Sequence, residues 1–143
     1  MNWEALFGLA NTLALVSWAA LIAAPRRSAL LAGVRYGVIG LLCLAYSLLV
    51  MIFFFSVQGG GFGSLHQVKT LFSSDPVLLA GWLHYLAFDL FVGLWIAEMA
   101  DARGLSRLIQ APLLFATFMF GPIGLLIASI VSLAPRSLQI RNA

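Results

Sequence analysis

Three ionisable side chains fall inside one long apolar stretch of this chain: His84, Asp89 and Glu98. Within a membrane-spanning helix such groups are rare, and a charged one costs about 2.5–3.5 kcal/mol on insertion scales. Carboxyl and imidazole groups are also the side chains that most often move protons or hold metals. At about 100° per residue, His84, Phe91 and Glu98 share a helical stripe with Phe88 and Trp95. Asp89 lies about 140° round from His84, on a second stripe with Trp82, Tyr85, Gly93 and Ile96. The two groups do not stack, but they could line one cavity if other helices covered both flanks. Asp89 is 14 residues beyond Asp75, or roughly 21 Å along the helix, and this places it deep in a bilayer. A lone carboxylate at that depth needs a donor or a cation, and Arg35 is a candidate partner if the second helix lies alongside. A structural role is equally open, with Tyr36, Tyr46, Tyr85 or Ser47 donating to Asp89 so that it ties helices together. Glu98, near the helix end, reads as a solvated interfacial acid.

The elements that must carry these residues follow from composition. The chain has 143 residues, 62% hydrophobic and only 9% charged, so there are too few polar side chains to cover a soluble globule. Disordered, disulfide-rich and nucleic-acid-binding classes are excluded on the same ground. Four stretches are long and apolar enough to cross a bilayer: 3–24, 36–57, 76–100 and 112–133. Backbone groups in lipid must bond within the segment, and none of the four alternates in polarity as a barrel strand would. The expected fold is therefore all-α, one domain over 1–143, an integral membrane bundle of four transmembrane helices.

Punctuation supports these limits. Pro25-Arg26-Arg27 ends the first helix, and Asp75-Pro76 opens the third with Asp75 as cap. Gly104 is a candidate stop for that helix, and Ala134-Pro135-Arg136 closes the fourth. Glu4 precedes the first apolar run where a signal peptide would carry Lys or Arg, so that run reads as a retained span. The connection from Gln58 to Ser74 holds Phe62, Leu65, Val68 and Leu71-Phe72, enough to lie in the membrane interface. Five arginines (Arg26, Arg27, Arg35, Arg103, Arg107) fall in the first and third connections, against Lys69, Arg136 and Arg141 on the other side. That balance predicts both termini outside. Pro122, within Phe120-Gly121-Pro122-Ile123-Gly124, should kink the fourth helix, and Gly121 and Gly124 admit a close neighbour or a flat ligand.

Metal readings are mostly closed. Two histidines are too few for a membrane di-iron centre, and no His-Glu-x-x-His helix or cysteine cluster exists. Cys43 is the single cysteine. A bis-histidine haem held by His66 and His84 stays open, if the loop carrying His66 folds back. No Ser-His-Asp arrangement, phosphate loop or nucleotide fingerprint is present.

Two blocks carry a resemblance. Asp75-Pro76 followed by Gly81-Trp82-Leu83-His84-Tyr85-Leu86-Ala87-Phe88-Asp89-Leu90-Phe91-Val92-Gly93, and then Thr117-Phe118-Met119-Phe120-Gly121-Pro122-Ile123-Gly124, resemble the abscisic-acid-deficient-4-like family. The likeness runs from about Trp3 to Leu133. Plant members are plastid membrane proteins required for making neoxanthin from violaxanthin. The family pattern has a basic residue after Gly93, where this chain has Leu94. The length leaves little room for a transit peptide, and the reading places the protein in a bacterial inner membrane.

The resemblance implies an isomerase acting on a carotenoid-like polyene, with no redox cofactor and no metal. Epoxide opening needs one group to protonate oxygen and another to take a proton from the polyene. A neutral Asp89 would serve as the acid and His84 as the base, or the reverse. Trp82, Tyr85, Phe88 and Trp95, with Gly121 and Pro122, would form the substrate-binding surface. The competing reading is a non-catalytic carotenoid- or pigment-binding protein, acting alone, as a homo-oligomer or within a larger membrane complex. Membrane lipids are partners in either case.

Overall fold

A computed structural model describes residues 2–133. Among the described residues the chain is all helical, and four helical segments have the length and apolarity of membrane spans. They are Trp3–Ala23, Ser28–Ser56, Asp75–Ala102 and Arg107–Leu133. The expected all-α bundle is present.

Helix α1 (Trp3–Ala23) starts on Asn2, whose side chain accepts from the Ala5 amide at 3.1 Å and so caps one of the free first-turn N–H groups. The second span begins eight residues earlier than its composition suggests. It runs as α2 (Ser28–Ala32), a π-helical stretch (Gly33–Ile39), α3 (Gly40–Phe53) and a closing 3-10 turn. Arg35 had marked the expected boundary, because a charge usually stops a span. Here its guanidinium donates to Glu98 Oε2 at 2.6 Å, and so it sits inside the helix. Neither earlier expectation for these two residues holds: Arg35 partners Glu98 and not Asp89, and Glu98 is half-buried in an ion pair.

The connection after α3 folds into α4 (Leu65–Leu71), capped by Ser64 and anchored by the buried Leu71. Helix α5 (Asp75–Ala102) is the central strut and packs against α1, α3 and α6. Its cap position is Ser74, one residue before the expected Asp75, and Pro76 fills the first turn, where its missing N–H costs nothing. Gly104 takes a positive φ of 70°, and the Leu105 amide closes back onto Ala100 O at 3.0 Å, so the expected glycine stop is correct.

Helix α6 (Arg107–Leu133) begins five residues before the expected Pro112, and it is not straight. Phe120 has non-helical angles (φ −143°, ψ 44°), and the chain reverses there. Arg103 donates to the Val131 and Ser132 carbonyls at 3.1 and 2.6 Å. A straight helix from 107 to 131 would hold those ends about 36 Å apart. Gly124 lies against Thr117 so closely that a side chain there would overlap it. The segment is thus two arms, 107–119 and 121–133, each roughly 20 Å long and meeting at the Phe120-Gly121-Pro122 tip. The expected Pro122 kink is a full reversal. Pro122 lies in the first turn of the second arm, where it suits a helix start better than a helix interior.

Two consequences follow for the ends. Leu133, the last described residue, lies at the Arg103 end of the bundle, opposite Asn2. The expectation that both termini share one side concerns a C-terminus that, with Arg136, Arg141 and the Ala134-Pro135-Arg136 stop, lies outside the described residues.

Candidate functional site

Asp89 sits at the middle of α5, 14 residues from its first residue and 13 from its last. The α6 tip reaches the same depth. Its Gly121 rests directly on the Asp89 carboxyl, in the space where any larger residue would place its Cβ. Asp89 Oδ2 is buried with no hydrogen-bond partner. An unpaired polar atom midway along a spanning helix is costly, and a ligand donor would relieve it.

The carboxyl opens onto a cleft of about 460 Å³ between α1, α5 and α6, lined by Asn11, Thr12, Trp18, Trp82, Tyr85, Phe118 and Met119 among others. Tyr85 is one turn before Asp89, and its hydroxyl faces the carboxyl. Trp82 Nε1 donates to Asn11 Oδ1 at 2.9 Å, fixing the indole plane across the cleft. Tyr85 and Phe7 extend this ring surface, with centroids 5.2 and 5.5 Å from Trp82. Trp18 approaches Gly93 so closely that only glycine fits there. Trp82 also borders a second cleft, about 620 Å³, lined by Asn2, Trp3, Glu4, Phe7 and Asp75. The two clefts follow one another along α1 and α5, and Trp82 borders both.

His84 is elsewhere. It is exposed on the opposite flank of α5, stacked on Phe88 at 4.4 Å and beside Tyr46 at 5.5 Å. It lines a separate cleft with residues of α3 and the α3–α5 connection. The structure therefore brings Asp89, Tyr85, Trp82 and Gly121 together and leaves His84 and Phe88 on another face. Trp95 is exposed and lines neither cleft, and Pro122 is exposed beside the tip. His66 is exposed on α4 and is not among the residues lining the His84 cleft, so the geometry gives the bis-histidine haem no support. No cluster of three potential metal ligands occurs among the described residues.

These geometries set the context for the comparison with known proteins. A family model described as ABA DEFICIENT 4-like matches residues 5–127. The chain belongs to this family. The match spans Asp89, its cleft and the α6 tip, and it agrees with the resemblance carried by the two sequence blocks. No curated protein and no solved structure matches the chain. Within this ABA DEFICIENT 4-like member, Leu94 is fully buried in the core beside Trp18, Leu90 and Leu114. A basic residue at that point would be enclosed among apolar side chains.

Sequence reasoning missed two parts of the site. Asn11 and Thr12 were a polar pair inside an otherwise apolar span, and that signal was available. The second part is a buried tie at the arginine-bearing end. The Arg26 side chain is 2% exposed; it pairs with Asp101 at 3.0 Å and donates to the Leu21 and Ala97 carbonyls and to Gln110 Oε1. Burial pulls the Arg26 pKa below the usual arginine range, and Asp101 offsets part of that. Gln110, also buried, donates to Asp101 and to Leu105 O. This cluster locks α1, α5 and the start of α6 together, and so holds the walls of the Asp89 cleft in register.

Proposed function

We propose that this protein is an acid–base isomerase of the membrane, acting on a long apolar polyene or terpenoid that carries an oxygen function at its end. The observation that supports this most is the unpartnered Asp89 oxygen beside a ring-lined cleft. An elongated apolar molecule would lie along α1 and α5, its terminal oxygen meeting Asp89 and its conjugated chain passing Trp82 and Tyr85. Asp89 would give its proton to that oxygen as the carbon–oxygen bond opens. A neighbouring carbon would then lose a proton to the Asp89 carboxylate, directly or through the Tyr85 hydroxyl, which restores the acid, leaves the formula unchanged and needs no electron carrier. Tyr85 is the group placed to exchange protons with Asp89. His84 faces another cleft, so this reading rests proton transfer on Asp89 and Tyr85.

A second reading is favoured by the same separation. With no imidazole in the Asp89 cleft, the protein would bind a pigment without converting it. Expression in a polyene-producing host separates the two. Isomerisation predicts a new product with the wild type, loss of at least 100-fold in conversion with Asp89→Asn, and near wild-type conversion with His84→Phe. A polyene that co-purifies and emerges unchanged supports the binding reading. Undiminished turnover by Asp89→Asn would remove the isomerase reading.

A further inference from the structure

The second flank of α5 carries a site of its own. A cleft of about 460 Å³ is lined by Tyr46, Phe54, Phe62, Phe72, Gly81 and His84, with further apolar residues. Its size lies within the range of small-molecule pockets. The α3–α5 connection forms its roof. Leu71 is buried, and the Phe72 ring lies flat against Gly81, where any side chain would collide with it, so the roof is seated on α5. Rings dominate the lining: Phe54 faces Phe62 at 5.4 Å and Phe55 at 5.1 Å, and His84 stacks on Phe88 outside. The described contacts of the imidazole are ring to ring, with Tyr46 and Phe88. An intramembrane histidine used only for packing would be a costly choice where phenylalanine would serve.

We infer that this cleft is a second ligand site, which takes a flat conjugated ring bearing a carbonyl oxygen, of the quinone or ring-ketone class. The His84 imidazole on α5 offers an N–H, and Tyr46 on α3, its ring 5.5 Å away, offers an O–H to the same cleft. Two donors lining an otherwise apolar slot call for an acceptor, and a carbonyl oxygen accepts two hydrogen bonds. The phenyl faces suit a planar ring, which they would stack against or meet edge-on. The exposed Phe55 and Phe62 at the mouth leave room for an apolar tail to pass into lipid. This site does not depend on the chemistry proposed at Asp89, because the two clefts share no lining residue.

The chain has only two histidines, which makes the test direct. The protein carrying isotope-labelled histidine is placed in lipid nanodiscs and titrated with menadione, a naphthoquinone. Methylnaphthalene, of the same shape without oxygens, is the control. The expected result is a saturable shift of the His84 signal with the His66 signal unmoved. Methylnaphthalene should bind about 50-fold more weakly, the equivalent of two hydrogen bonds in an apolar site. Binding by His84→Phe is followed through the ligand's own resonances and should fall about tenfold, the equivalent of one of them; Tyr46→Phe should weaken it severalfold. A His84 shift that rises linearly without saturation means partition into lipid and overturns the proposal. Equal affinity for the two probes, or binding unchanged in both variants, overturns it as well.

Discussion

At the scale of residues, two buried side-chain atoms among the described residues lack a hydrogen-bond partner: an Asp89 carboxyl oxygen and one nitrogen of Arg26. Arg26 is otherwise well paired, and its role is to hold helices. Arg26→Met would leave buried acceptors on Gln110 and two carbonyls without their donor, at about 1–3 kcal/mol for each buried group left unpaired. A lowered thermal midpoint in detergent would check this; an unchanged midpoint would show that the cluster contributes no net stability. Gly121 makes a different demand. Gly121→Ala would force a methyl into the Asp89 carboxyl and cost about 1–3 kcal/mol through overpacking. It should also reduce activity more than it reduces the amount of folded protein, because what moves is Asp89 itself. Asp89 was legible from the sequence, since a lone carboxyl deep in an apolar run has few explanations. The Arg26 cluster was not, because arginines beside a helix end ordinarily mark topology, and nothing local shows that one of them is enclosed by three helices.

At the scale of elements, α6 carries the most information. Its composition is that of one membrane span, and hydropathy cannot distinguish a span from two half-length arms of the same total length. Pro122 and the flanking Gly121 and Gly124 signalled a break. The reversal itself depends on the Arg103 contact with the last carbonyls and on Gly124 meeting Thr117, neither of which is local in sequence. Non-helical backbone at mid-membrane is tolerated where protein covers it; here Gly121 is buried against Asp89 of α5, while Phe120 and Pro122 are exposed. Spin labels at positions 108 and 130 should report a separation under about 20 Å, where a straight helix would give about 33 Å. The second span teaches the converse. Its sequence boundary failed at Arg35 because a distant acid, Glu98, neutralises that charge, and pairing between helices cannot be read from either helix alone.

At the scale of the whole molecule, charge separates cleanly. Among the described residues, Arg26, Arg27, Arg35, Arg103 and Arg107 gather at one end, and Lys69 lies at the other. By the positive-inside rule the arginine end, with Leu133, is expected on the cytoplasmic face and Asn2 on the other. In a Cys43→Ser background, Asn2→Cys should react with an impermeant thiol reagent on intact cells, and Ser132→Cys only after permeabilisation. Labelling of both from one side would contradict the folded path of α6. That path gives the protein its central property: a half-length hairpin borders the cleft at mid-depth and rests its tip on the Asp89 carboxyl. The proposed activity requires Asp89 to exchange a proton with the bound molecule. The most direct test is turnover of an oxygen-bearing polyene by the reconstituted protein, followed by chromatographic separation of the recovered molecule from its isomers. The account predicts an isomeric product bearing a new hydroxyl with the wild type and not with Asp89→Asn. Recovery of the polyene unchanged from the wild type, or equal product from both proteins, would contradict it.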